Sequence, residues 1–198
     1  MYLFILLSAI VLTLSTIINF ATMLVSSTFL ILGILYSVPS IRLKKRTLGK
    51  PLTLSIGFSL SLLAGGVTLG NISSTLIFVI ICLFIYNFFM IPLTDLKDIE
   101  GDKMEEIKTF PNIIGSDRTL LIGLFSYLLL PILAFYGFLF YNFNYLCIIL
   151  LLLPSIMNIK RILDLRTKPG SQEDYEKLRD FQIPSGMLVT LMLFIGTI

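Results

Sequence analysis

The 198-residue chain has no histidine and no tryptophan. Without histidine there are no imidazole-ligated metals, no histidine general bases and no Ser–His–Asp triad. Only two cysteines occur, Cys82 and Cys147, each inside an apolar run. Neither has a partner at metal-binding spacing, so both read as small core residues. Charge is also scarce, at 14% of residues, where soluble domains carry about 25%. With a mean hydropathy of +0.94, that excludes a soluble domain and indicates an integral membrane protein. Acidic residues are absent before Asp95. Met1 leads straight into an apolar run, with no basic n-region and no small-residue cleavage site, so no signal peptide is expected.

What the chain does have is apolar runs. Seven are expected to cross a bilayer as helices, at roughly 2–18, 21–38, 52–69, 74–94, 119–140, 144–159 and 181–198. The sixth is short and is expected to extend toward Leu163. The connections alternate in character. Those near Asn19, Gly70–Ser73 and Tyr141–Asn144 are short and uncharged. Those at 39–51, 95–118 and 160–180 hold all 15 Lys and Arg and all 12 Asp and Glu. This alternation supports the helix count independently, because a missed helix would scatter charge onto both sides. The positive-inside tendency places the charged face in the cytoplasm, the N-terminus inside and the C-terminus outside. The expected fold is an all-α polytopic bundle of seven transmembrane helices in a single domain, 1–198.

The densest acidic cluster lies within Asp95–Pro111. Asp95, Asp98 and Asp102 stand at i, i+3 and i+7, so a continuous helix would set them on one face within about 60°. Three carboxylates there repel one another unless a cation lies between them. Oxygen ligands suit Mg²⁺, which binds one or two carboxylates together with a substrate's phosphates. Pro92 is expected to kink the preceding helix, and Gly101 to loosen the segment before the third Asp. The competing reading is a solvated acidic loop.

The first charged loop carries Arg42, Lys44, Lys45, Arg46 and Lys50 with no acid. It either pins the loop to cytoplasmic anionic lipid or binds an anion, and the two roles are compatible. Gly65, Gly66 and Gly70 read as helix-packing positions. Asn87, inside the fourth helix, reads as inter-helix glue or as a group facing a cavity. The third charged loop reads as a Pro-Gly turn followed by a short solvated helix, with no chemistry.

Asp95-Leu-Lys-Asp98-Ile-Glu-Gly-Asp102, followed by Ile107-Lys108-Thr109-Phe110-Pro111 and Gly115, resembles the second aspartate-rich motif of the UbiA superfamily of intramembrane prenyltransferases. Tyr36-Ser37-Val38-Pro39 with Arg42-Leu43-Lys44 resembles the loop that precedes that motif by one helical hairpin. The resemblance implies a bundle of nine helices, of which these seven match the third to ninth. It implies Mg²⁺ held by Asp95, Asp98 and Asp102, the same three residues serving catalysis. Tyr36, Arg42, Lys44 and Lys108 would face the diphosphate of a prenyl diphosphate, with Asn87 beside the same substrate. The acceptor would be an archaeal-type glycerolipid or an aromatic quinone precursor, in the cytoplasmic membrane. The family's first aspartate-rich motif has no counterpart in this sequence. The expectation is therefore an N-terminally truncated member, a split-gene half or a sequence with a wrongly assigned start, not efficient in prenyl transfer alone, and in the split case completed by a partner chain carrying the missing hairpin. Two other classes stay open. One is a non-catalytic membrane subunit or remnant that binds prenyl lipid or a partner. The other is a seven-helix transporter, disfavoured because no ionisable residue lies within a helix core.

Overall fold

The computed structural model of the chain describes residues 2–167 and 170–197. It is all-helical among these residues. The order is α1 (Tyr2–Ile18), α2 (Phe20–Ser37), a 3-10 turn at Leu43–Lys45, α3 (Gly49–Thr68) and α4 (Ser74–Thr94). A second 3-10 turn at Leu96–Asp98 follows, then α5 (Ile99–Met104), α6 (Phe110–Ile114), α7 (Ser116–Tyr141), α8 (Tyr145–Thr167) and α9 (Gln172–Ile195).

Six segments are long and apolar enough to cross a membrane, and α1, one residue under that length, is a shorter seventh apolar helix. The expected spans therefore reappear, with two changed boundaries. α8 extends past 159 as expected, but beyond Leu163 to Thr167, and α9 begins at Gln172 rather than 181. The short polar helix expected within the third charged connection is the first part of α9, begun by Ser171, whose hydroxyl and backbone form a reciprocal capping box with Asp174. Hydropathy marks where a helix leaves lipid, not where it ends. Of the turn expected at Pro169-Gly170, Pro169 lies outside the described residues.

Neighbours in sequence pack as neighbours in space: α1 on α2, α2 on α3, α3 on α4, α4 on α7, α7 on α8 and α8 on α9, with α9 returning to α4. The buried core belongs mainly to α4, α7, α8 and α9. Cys82 and Cys147 lie inside it as free, fully buried thiols, as expected. The outer helices are different. Ser15 is the sole buried residue of α1 and Thr22 that of α2, and apolar side chains such as Leu3, Ile17 and Phe20 are exposed. α2 is nevertheless tied to α3 at the uncharged end, where the Asn19 side-chain amide donates to the Val67 carbonyl (3.2 Å) and the Thr22 and Thr68 hydroxyls meet at 3.3 Å.

The three glycines expected to pack helices divide. A Cβ on Gly66 would fall 2.2 Å from Leu76 Cδ2, so this position does need glycine. Gly65 has no neighbour within 4 Å, and Gly70 takes a left-handed turn at φ 67. Pro92 lies within α4 without ending it. The backbone then tightens into the 3-10 turn, with the Asp95 N–H donating to the Pro92 carbonyl at 3.2 Å.

Candidate functional site

Every ion pair among the described residues involves the three charged connections and the adjoining helix ends. Two of those connections build a cleft of about 170 Å³, lined by Tyr36, Arg42, Lys44, Lys45, Lys50, Asp102, Glu105, Ile107 and Thr109.

The first wall descends from α2. Tyr36 sits in its last turn. Beyond it the Arg42 N–H donates to the Val38 carbonyl at 2.7 Å, and Arg42 takes a left-handed backbone, φ 42. That reversal leads into the basic 3-10 turn, which α3 follows closely. A Cβ on Gly49 would stand 2.5 Å from the Leu43 carbonyl oxygen, so glycine permits the approach and fixes where Lys50 emerges. The second wall comes from α5 and the irregular segment after it. The two walls are stitched together: the Lys108 N–H donates to the Lys45 carbonyl at 3.2 Å, and the Thr47 hydroxyl donates to the Lys108 carbonyl at 2.8 Å. Lys45 Nζ also reaches Glu105 Oε2 at 3.5 Å.

The three aspartates do not share one continuous helical face. Asp95 ends α4, Asp98 closes the 3-10 turn and Asp102 lies in α5. The continuous helix on which the sequence expectation rests is replaced here by a helix end, a 3-10 turn and a short helix. Asp95 is buried and contacts Lys50 Nζ through Oδ1. Asp98 is exposed and pairs with Lys97 at 2.8 Å. Asp102 faces the cleft and has no ion-pair partner among the described residues. No group of three or more Asp, Glu or Cys stands ready-made as a metal site among those residues.

The structure therefore brings Tyr36, Arg42, Lys44 and Asp102 together in one cleft. The other expected site residues lie elsewhere. Lys108 contributes its backbone to the stitch and its side chain is exposed. Asn87 is buried, and its amide donates to the Leu83 carbonyl of its own helix (2.8 Å), one turn back and away from the cleft. It is neither inter-helix glue nor a cleft residue. Sequence reasoning gave no site role to Thr109 and Glu105, and it counted Lys45 and Lys50 only as members of a basic loop open to an anion. Lys50 carried a signal. A lysine in the first turn of α3 and an aspartate ending α4 each oppose their own helix dipole. Such misplaced charges are satisfied when antiparallel neighbours set them against each other. Thr109 lines the cleft with a buried hydroxyl beside the Asp102 carboxylate.

The donor set has a definite chemistry. Four cations, Arg42, Lys44, Lys45 and Lys50, face two carboxylates, Asp102 and Glu105, in a space several waters in size. Arginine and lysine side chains together suit an oxyanion with several oxygens. The unpaired Asp102, with the weakly held Asp98 four residues earlier, suits a hard divalent ion that shares its shell with that anion. Mg²⁺ thus fits the residues present.

Residues 1–179 match the family model described as the UbiA prenyltransferase family. Among solved structures, a UbiA homolog from Archaeoglobus fulgidus bound to Cd²⁺ superposes with a TM-score of 0.70 at 21% identity, covering 98% of this chain and 71% of that one. A second structure of a UbiA homolog from the same organism gives 0.70 at 20% identity, covering 98% and 70%. At that identity the likeness shows the fold. No curated protein matches the chain.

Proposed function

The chain belongs to the UbiA prenyltransferase family, and on that premise we propose that it takes part in transferring an isoprenoid group from a prenyl diphosphate to a lipid or aromatic acceptor within the cytoplasmic membrane. The observation that carries this reading is the cationic cleft joining the Tyr36–Lys50 loop to Asp102 at one end of a multi-pass bundle. The charged loops would face the cytoplasm by the positive-inside tendency.

In this reading the allylic carbon–oxygen bond breaks heterolytically. The carbon becomes cation-like, the electron pair leaves on the diphosphate, and the acceptor adds to the carbon and gives up a proton. Arg42 and Lys44 hold the leaving diphosphate as charge gathers on it, and the Tyr36 hydroxyl donates to it. Asp98 and Asp102 would hold Mg²⁺, which lowers the charge of the leaving group; a divalent ion, Cd²⁺, accompanies the homolog from Archaeoglobus fulgidus. The archaeal-type glycerolipid and the quinone precursor remain the acceptor classes that the Asp-Ile-Glu-Gly-Asp form supports.

The test uses the purified chain in detergent with Mg²⁺, allylic diphosphates and acceptors of both classes, reading prenylated product. Binding of inorganic pyrophosphate is measured alongside. Arg42→Gln is expected to weaken pyrophosphate binding about tenfold, the scale of one charge-assisted hydrogen bond. Lys44→Gln is expected to weaken it only a few-fold, because Lys44 is exposed and its charge is screened. Pyrophosphate binding that ignores both variants would remove the cleft from the proposal.

One observation favours a second reading, binding without turnover. Asp95 is this sequence's first acidic residue, so the chain offers one acidic motif where the family resemblance implies two. Transfer would then need carboxylates that these 198 residues do not supply. Mg²⁺-assisted pyrophosphate binding with no product from any acceptor is the result that selects this reading.

A further inference from the structure

We infer that Lys50 is a built-in cation of the diphosphate site, occupying the Asp95 carboxylate in place of a divalent ion. This rests on the diphosphate reading of the cleft and departs from the expectation that all three aspartates ligate Mg²⁺.

Three observations converge. First, the Asp95 side chain is 3% exposed and its Oδ1 is in direct contact with Lys50 Nζ. A divalent ion of the Mg²⁺ type keeps several waters and needs a near-octahedral shell. A carboxylate so enclosed has no room for that shell while the ammonium is in place. Second, Lys50 belongs to both the pair and the cleft: its side chain is 25% exposed and lines the cavity beside Arg42, Lys44 and Asp102. An ammonium has three donors. One reaches Asp95, and the others are directed by the same geometry toward whatever anion fills the cleft. Third, the three aspartates are neutralised unequally. Asp95 has Lys50 in a buried contact, Asp98 has Lys97 in an exposed one, and Asp102 has no ion-pair partner among the described residues. An exposed pair is readily given up to a metal, and a buried one is not. The motif therefore presents Asp102 and Asp98 to a metal and withholds Asp95.

The helix ends support this assignment. The ammonium at the start of α3 leans on the negative end of α4, and the carboxylate ending α4 leans on the positive end of α3. The antiparallel hairpin thus holds its own charge pair at the floor of the cleft.

The experiment titrates Mn²⁺ alone, read by electron paramagnetic resonance, into the full chain in detergent. The wild type, Asp95→Asn, Lys50→Gln and the double variant are compared. Asp95→Asn is expected to leave Mn²⁺ affinity within about twofold, since loss of a true ligand or its support costs 10–100-fold. Lys50→Gln is expected to add a Mn²⁺ site or tighten binding about tenfold or more, and the double variant to lose that gain. A tenfold weakening by Asp95→Asn overturns the inference, because Asp95 would then be a ligand despite Lys50. So does a folded Lys50→Gln chain with no gain, or a wild type that takes up no Mn²⁺. Should Lys50→Gln fail to fold, Asp95→Asn decides alone. Pyrophosphate binding is scored separately: a chain that behaves as expected toward Mn²⁺ yet ignores pyrophosphate overturns the diphosphate reading and leaves the Lys50–Asp95 assignment standing.

Discussion

Asp102→Asn is expected to lower prenyl transfer at least ~100-fold, the scale seen when one group aimed at developing charge is removed. It is also expected to reverse the sign of the metal effect on binding. Asp102 is the one negative charge of the three aspartates that faces the cleft without an ion-pair partner among the described residues. In metal-free buffer it repels an incoming anion, so its removal should tighten pyrophosphate binding. With Mg²⁺ present it anchors the ion that the anion shares, so the same substitution should weaken binding. The two limbs are read by titrating pyrophosphate in chelator and in Mg²⁺. Weakening in both conditions would mean that Asp102 only shapes the cleft, and no change in either would place the anion elsewhere.

The second large effect is on packing. Gly123 faces Leu93 where α7 crosses α4, and a Cβ there would stand 2.2 Å from Leu93 Cγ and Cδ1. Leu93 is 1% exposed, so it has nowhere to retreat. Alanine in place of glycine gains about 1 kcal/mol of helix propensity, while overpacking a tight interior costs roughly 1–3 kcal/mol. Overpacking wins. Gly123→Ala should be destabilising by about 1 kcal/mol net and Gly123→Leu by about 3 kcal/mol or more. For a chain of this size each kcal/mol lowers the melting temperature by roughly 2–4 °C. Gly65→Ala is the control: with no neighbour within 4 Å, it should raise stability by up to about 1 kcal/mol. Equal shifts of one sign at both glycines in a detergent melting assay would sink the packing argument. Leu93 is two residues from Asp95, so the Gly123 variants should also weaken pyrophosphate binding.

The bundle and half of the cleft were legible in the sequence for a simple reason. Lipid demands long apolar runs, and the charges that remain collect where the chain meets water. Tyr36, Arg42, Lys44 and Asp102 belong to two recognisable stretches that the structure brings together. Lys50 was harder to read because its partner lies 45 residues away, and a lysine after a basic run looks like one more topology signal. The break in the aspartate segment was not legible because spacing along a sequence assumes an unbroken helix, while Asp95, Asp98 and Asp102 divide between a helix end, a 3-10 turn and a short helix. Asn87 was misread as available because a polar group in lipid seems to need a distant partner, and its own helix supplies a carbonyl one turn away.

The two hydrogen bonds that stitch the loops together also bear on biosynthesis. Thr47 and Lys108 are 61 residues apart, and the α3–α4 hairpin lies between them. A ribosome must therefore deliver both helices of that hairpin across the bilayer before the first loop meets its partner. Until then the basic loop can only rest on anionic headgroups. A hairpin threaded the wrong way would leave the two halves of the stitch on opposite sides of about 30 Å of hydrocarbon. An anion can therefore be held in the cleft only by a chain whose middle helices both cross as a hairpin.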